Sequence, residues 1–214
     1  MGKKIEKVID GSVVVAMLAA VLAAGTVLIR GSATDATPSG DGERVRAWEQ
    51  YSEGGRRTGP PDAAITIVEF GDYRCAACQT AEDHFSAVRR KFSDVAFVYR
   101  HFPIPVHEFS TEAAVAAECA GEQGLFWPMH EELYNMETVA LDSFPQAAQR
   151  VGVKSLSDFR ACLSSEEPRA RIEADRVLAR QLGVRGTPTF LVNDRKYLGF
   201  RDSLALEEIL AEAR

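Results

Sequence analysis

Along the chain, apolar and polar positions fall into three regimes. The first is an uncharged run from Gly11 to Ile29, rich in Val, Ala and Leu, with Lys3, Lys4 and Lys7 before it and Arg30 directly after it. That is about 19 residues, close to the roughly 20 that carry a helix across a bilayer. The segment is expected to span a membrane as a signal-anchor. The basic n-region, residues 1–10, then stays in the cytoplasm and everything after the span lies outside. Cleavage as a signal peptide is the alternative, since the run is rich in Ala and only moderately hydrophobic. The second regime, residues 30–59, reads as a linker. Gly31 to Gly42 is small and polar, a flexible tether. Glu43 to Tyr51 is expected to form a short helix, with Val45, Trp48 and Tyr51 on one side. The stretch Gly54 to Pro61 then breaks it.

The third regime is globular. Ile65 to Phe70 is apolar and β-branched and predicts a buried strand. From Gln79 to Lys91 the apolar residues Ala81, Phe85 and Val88, with Phe92 just beyond, recur at helical spacing. Asp94 to His101 predicts a second strand, parallel to the first across that helix, and Pro103 and Pro105 end it. A helical pattern then runs from Phe109 to about Gly183. Ser110 or Thr111 is placed to cap a helix through Gly121, and Phe126 to Tyr134 forms the next, with Pro128 in its first turn. Ser143 to Val151, a short helix after Ser155, and a long one opened by Glu166-Glu167-Pro168 and closed at Gly183 complete the set. Phe126, Trp127, Met129 and Tyr134 are read as core residues. Thr189 to Val192 predicts a strand, Asn193-Asp194 a turn, and Lys196 to Phe200 its hairpin partner. Ser203 to Ala213 predicts a closing amphipathic helix with Leu204, Leu206, Ile209 and Leu210 on its apolar side.

Charge changes this picture little. Lys and Arg number 25 against 31 Asp and Glu, with a formal net charge of −6, and no basic run occurs. Nothing there suits nucleic acid as a partner. The chemistry is concentrated in the cysteines. Cys75 and Cys78 form a CxxC where the first strand hands over to a helix. Backbone N–H groups and the positive end of the helix dipole favour a thiolate at the first cysteine. A CxxC at a strand–helix junction is a redox signal. Two alternatives exist. One is half of a zinc site completed by His84, His101, His107 or His130, which lacks the second close ligand pair such a site needs. The other is an inert disulfide, which so short a loop makes a weak staple. The remaining cysteines, Cys119 and Cys162, are expected to form a structural disulfide, from the even count and the exported location. His101 and His107 are read as surface or capping residues near the end of the sheet.

Three stretches, Glu69 to Cys78, Arg100-His101-Phe102-Pro103 and Gly186-Thr187-Pro188-Thr189-Phe190, resemble the DsbA-like thiol–disulfide oxidoreductases. The resemblance covers roughly residues 60 to 214. It implies an α/β thioredoxin-like fold, residues 60–106 and 184–214, interrupted by an all-helical insertion, residues 107–183. It also implies that Cys75 is the exposed nucleophile and Cys78 the shielded resolving partner. Glu69, in an otherwise apolar strand, is the buried acid that relays protons for Cys78, unless strand alternation turns it to solvent. Pro188 is the cis proline facing the CxxC, and Thr187 offers backbone groups to an extended substrate. Ala76 and Ala77 depart from the Pro or His that many relatives carry between the cysteines, which leaves the helix N-terminus to do most of the thiolate stabilisation. The function implied is an extracytoplasmic oxidase, held by its N-terminal helix in the cell membrane. It would give its disulfide to exported thiol-containing polypeptides and be reoxidised by a quinone-linked membrane partner, with no organic cofactor and no metal. A reductase or isomerase run by the same dithiol, and a peptide-binding chaperone with an idle CxxC, are the rival readings.

Overall fold

The computed structural model describes residues 42–199 and 202–214. The expected n-region, the span over 11–29 and most of the tether lie outside the described residues. Among the described residues no helix is long and apolar enough to cross a membrane. In chain order the elements are β1 (Glu43–Arg44), α1 (Glu49–Ser52), β2 (Arg56–Thr58), β3 (Ile65–Gly71), α2 (Ala76–Lys91) and β4 (Val95–His101). Then come α3 (Ser110–Gly121), α4 (Phe126–Asn135), α5 (Ser143–Arg150), α6 (Leu156–Leu163) and α7 (Glu166–Gln181). The chain closes with β5 (Thr189–Val192), β6 (Arg195–Leu198) and α8 (Ser203–Glu212).

The strands form one sheet in the order β1-β6-β5-β3-β4-β2. β3 and β4 run parallel, with Ile65 opposite Val95 and Gly71 opposite His101, and α2 makes the crossover between them. β5 returns antiparallel to β3, placing Phe190 opposite Glu69, and pairs on its other side with β6 through a two-residue turn. Asn193 takes φ 49° in that turn, a left-handed conformation that Asn tolerates better than most residues. β3 and β4 are buried at every position, because helices cover both faces of the sheet. Ile65 and Ile67 face Phe85 and Val88 of α2 and Leu206 and Leu210 of α8. Val68 and Phe70 face Ala179 of α7 and Tyr51. The helices α3 to α6 pack into a third core with Tyr73, Cys78 and Tyr99. Within that core Cys119 of α3 is bonded to Cys162 of α6, S–S 2.02 Å and Cα–Cα 5.7 Å.

Four details differ from the sequence reading. Glu43 to Tyr51 is not one helix. Glu43 and Arg44 pair with Lys196 and Arg195 as an edge strand, and the Val45 amide donates to the Asp194 carbonyl at 2.7 Å. Ala47 then takes φ 50°, which ends any continuous helix, so only Glu49–Ser52 is helical. The expected breaker between Gly54 and Pro61 contains a strand, β2, antiparallel to Tyr99–Phe97 of β4. Gly59 makes its exit possible: φ is +85°, and an added Cβ would lie 2.6 Å from the Val95 carbonyl oxygen. Neither Ser110 nor Thr111 caps α3. Ser110 is the first helical residue, behind Phe109 at φ 59°, and its hydroxyl is committed to Asp72. Leu204 is 67% exposed and lies off the apolar side of α8 that Leu206, Ile209 and Leu210 form.

Candidate active site

β3 delivers the chain into a short loop, Asp72-Tyr73-Arg74, and Cys75 is the N-cap of α2 in extended conformation (φ −87°, ψ 117°). The loop is set by its own backbone. The Cys75 amide donates to the Asp72 carbonyl at 3.1 Å, and the Arg74 amide donates to Asp72 Oδ1 at 2.8 Å, an Asx turn. Gln79 N–H then donates to the Cys75 carbonyl at 3.0 Å, closing the first helical turn. Cys75 is half-buried and Cys78 wholly buried, both as free thiols. The Thr187–Pro188 peptide is cis. Its loop faces the pair: Cys75 Sγ lies 3.4 Å from the Thr187 carbonyl oxygen.

The electrostatics separate the two sulfurs. Cys75 is lowered to about 5. The largest cause is a hydrogen bond from the Cys78 thiol. Burial opposes it, while the Thr187 side chain and the amides of Cys78 and Ala77 add to it. The helix N-terminus thus contributes through two amides but is not the main stabiliser; Cys78 itself is. Cys78 moves the other way, raised first by burial and then by its bond to Cys75 and the field of Glu69. Its role is that of a donor to its neighbour.

Glu69 is 6% exposed, and strand parity places it on the α2 side of the sheet with Ile65 and Ile67. Burial raises its pKa well above the carboxylate range. Glu82 and Cys75 raise it further and Arg89 opposes them. Its Oε1 has no hydrogen-bond partner among the described residues. Glu82, one helical turn beyond Cys78, is a second buried carboxylate. Burial alone would raise it, but His130 Nε2 at 3.1 Å and the Arg89 guanidinium outweigh that and hold it below the usual range. His130, fully buried, also shares a hydrogen bond of 3.1 Å with the Tyr73 hydroxyl, and Tyr99 and Tyr134 meet hydroxyl to hydroxyl at 3.0 Å beside it.

The structure therefore brings Glu69, Cys75, Cys78, Thr187 and Pro188 to one place, and leaves Cys119 and Cys162 in the helical core. His101 is not a surface residue. It is 1% exposed, and its Nε2 lies 2.9 Å from Glu118 Oε1 in a buried cluster with Arg56. The strand end is covered there by α3, which the strand pattern alone does not reveal. His107 places Nδ1 2.7 Å from Asp72 Oδ2. Among the described residues no group of three or more His, Cys, Asp or Glu side chains is placed to hold a metal. Asp72 and Glu82 escaped the sequence reading, and His130 entered it only as a candidate zinc ligand. The signal for Glu82 was its spacing, since Cys78, Glu82 and Phe85 fall on one helix face. For Asp72 it was an Asp two residues before the turn's amide.

A family model described as thioredoxin matches residues 51–212. A thioredoxin-like oxidoreductase from Silicibacter pomeroyi DSS-3 is 29% identical, with TM-score 0.71 over 79% of this chain and 98% of that one. A periplasmic thioredoxin-like protein from Salmonella enterica serovar Typhimurium is 25% identical, with TM-score 0.69 over 80% of this chain and 98% of its own. Among curated relatives, Na(+)/H(+) antiporter NhaA 1 of Salinispora arenicola is 37% identical over 158 residues, 72% of this chain but 24% of the relative. The chain thus spans about a quarter of the length of the curated relatives it matches. The CxxC at a strand–helix junction, the cis proline opposite it and these matches agree: the chain belongs to the thioredoxin family and is a disulfide oxidoreductase.

Proposed function

We propose that the chain is a membrane-anchored, extracytoplasmic thiol–disulfide oxidase acting on exported polypeptides. The observation that carries this is the asymmetry of the dithiol. A thiolate is favoured at Cys75, 3.4 Å from the Thr187 carbonyl, while Cys78 is buried and holds its proton. A dithiol whose reduced form is stabilised gives its disulfide away readily. In the forward reaction a substrate thiolate attacks Cys75 Sγ, the Cys75–Cys78 bond breaks, and Cys78 leaves as a thiolate that takes the proton of Glu69. A second substrate thiolate then attacks the substrate sulfur of the mixed disulfide and expels the Cys75 thiolate. Two electrons pass from substrate to protein, and a quinone-linked membrane partner removes them. Residues 11–29 supply the anchor. The Cys119–Cys162 disulfide and the periplasmic neighbour support the location outside the cytoplasm.

The deciding pair of assays is oxidation of a reduced, unfolded protein and thiol-driven reduction of insulin. The expected result is rapid oxidation and slow insulin reduction. The opposite pattern, with a potential near that of thioredoxin, would establish the reductase reading, which the Ala76-Ala77 dipeptide favours by adding no side-chain donor to the thiolate. Glu69→Gln tests the relay. Burial raises the Glu69 carboxyl well above the carboxylate range, so the amide should remove a limb of the pH–rate profile for glutathione release from a Cys75 mixed disulfide. The release should slow on the order of ten- to a hundredfold. An unchanged profile would take Glu69 out of the mechanism.

A further inference from the structure

The loop that carries Cys75 into place, Asp72-Tyr73-Arg74, is held by two side chains that bind different parts of the chain. Asp72 accepts from the Ile104 amide at 2.9 Å, from His107 Nδ1 at 2.7 Å and from the Ser110 hydroxyl at 2.5 Å, all from the segment beyond β4. Tyr73, buried, reaches the helical layer instead, where its hydroxyl lies 3.1 Å from His130 Nδ1 of α4. The imidazole is bonded at both nitrogens, since its Nε2 lies 3.1 Å from Glu82 Oε2. Glu82 is ionised and can only accept, so Nε2 carries the hydrogen and donates, and Nδ1 accepts from the Tyr73 O–H. Burial lowers the His130 pKa, Glu82 opposes this, and Arg89 and His101 add to it. The ring is therefore neutral at neutral pH and keeps that tautomer. Tyr99, Trp127 and Tyr134 complete its surroundings, with ring centroids 4.7, 5.0 and 5.1 Å away. Glu82 is fixed in turn by Arg89, whose guanidinium lies 5.1 Å over Trp127 and 5.7 Å over Phe97. These partners bracket the redox pair: Tyr73 precedes Cys75 by two residues and Glu82 follows Cys78 by four.

Packing alone does not call for this array. The other inward positions of α4 include Phe126, Met129 and Leu133, and buried charged groups are no more stabilising than apolar residues of similar volume. The strand end is shaped to the same array. A Cβ at Gly71 would lie 2.8 Å from the Tyr99 hydroxyl and 2.9 Å from that of Tyr134, so only glycine lets these rings close behind the loop. We propose that His130 is a positioning residue for thiol–disulfide exchange: through its bonds to Tyr73 and Glu82 it locks the nucleophile's loop to α2, and so holds the Cys75 sulfur in register with the Cys78 thiol and the Thr187 carbonyl. The lock serves either direction of electron flow. What it protects is the Cys75 thiolate, whose largest support is the hydrogen bond from Cys78. Such a bond weakens steeply when its geometry is lost. A loop released from α4 lets the helix cap drift, and a displacement of about 1 Å at a reacting atom costs up to roughly a hundredfold in rate.

The test uses three variants and a control. Tyr73→Phe removes one buried hydroxyl and keeps the ring stacked on Tyr99. His130→Gln keeps a donor within reach of Glu82 and gives up the acceptor for Tyr73. Each should raise the midpoint of the Cys75 thiolate absorbance by about one pH unit. Each should also slow exchange between the oxidised protein and dithiothreitol roughly tenfold. The double variant should move both readouts no further than either single change, because the two substitutions break the same bond. Phe159→Leu, in the same helical core but on α6, should lower Tm and leave the midpoint where it is. Unchanged midpoints in Tyr73→Phe and His130→Gln, effects that add in the double variant, or an equal midpoint shift in Phe159→Leu would each overturn the proposal and leave His130 a residue of the core.

Discussion

At neutral pH the reduced protein should alkylate at Cys75 and not at Cys78, at a rate that stays flat as pH falls until about 5 and then drops. The reason is the division of labour between the sulfurs. Only the thiolate is nucleophilic, and an ordinary cysteine is a few per cent thiolate at pH 7. Cys75, held near 5 by the Cys78 thiol, the Thr187 side chain and two amides, is almost wholly ionised there, whereas Cys78 is buried and protonated. The same shift enters stability. The folded-state pKa of Cys75 lies below that of an unfolded thiol. Its contribution to the reduced fold is therefore complete above the ordinary thiol range and is lost as pH falls through about 5. Cys75 is half exposed, so solvent screens part of this and the stability effect is smaller than the reactivity effect. Cys75→Ser should reduce exchange to background, while Cys78→Ser should accumulate mixed disulfides that no internal thiol resolves. Mass spectrometry after brief iodoacetamide exposure, with thiolate absorbance across pH, measures the site and the midpoint. A midpoint in the ordinary thiol range would remove the electrostatic basis of the oxidase reading.

Removing the second disulfide should cost the fold heavily. Cys119 and Cys162 are 43 residues apart, and closing such a loop restricts the unfolded chain by about 4 kcal/mol in the chain-entropy model. The double variant Cys119→Ala, Cys162→Ala should lose up to about that amount in urea unfolding, with the CxxC kept oxidised in both proteins. For a chain of this size that corresponds to a fall in Tm of roughly 8–16 °C. Both sulfurs lie in the core of α3 to α6, so alanines avoid stranding a hydroxyl there. A loss below about 1 kcal/mol would mean that α3 and α6 are held by packing alone, or that the unfolded chain is already compact.

What the sequence disclosed and what it hid follow from range. Ile65 to Gly71, α2 and β4 were legible because their periodicity is local and strong, and the CxxC marked its own junction. The cis loop and Glu69 were legible by resemblance rather than by pattern. Strand alternation could not orient Glu69, because β3 is buried on both faces and every second residue looks alike. β1 and β2 were hidden because two- and three-residue edge strands have no periodicity; they exist through partners at Lys196 and Tyr99, far away in sequence. His101 looked like a surface residue for the same reason: its partner Glu118 arrives on α3. Asp72 was invisible as an anchor because three of its donors, Ile104, His107 and Ser110, come from the segment beyond β4.

The aromatic wall behind the nucleophile loop gives the helical layer a further meaning. Tyr73 stacks on Tyr99 at 5.4 Å between ring centroids and meets Tyr134 at 4.8 Å and His130 at 5.5 Å, the last two from α4. Cys78 lies in the same core as α3 to α6. A chain trimmed to its sheet, with β4 joined directly to β5, would keep both cysteines and the cis proline. It would nonetheless open the rear of the redox centre to water, and the proton that Cys78 now keeps would be free to leave. The inserted helices are the waterproofing of the resolving cysteine, and the contrast between its two sulfurs is as much their product as that of the sheet.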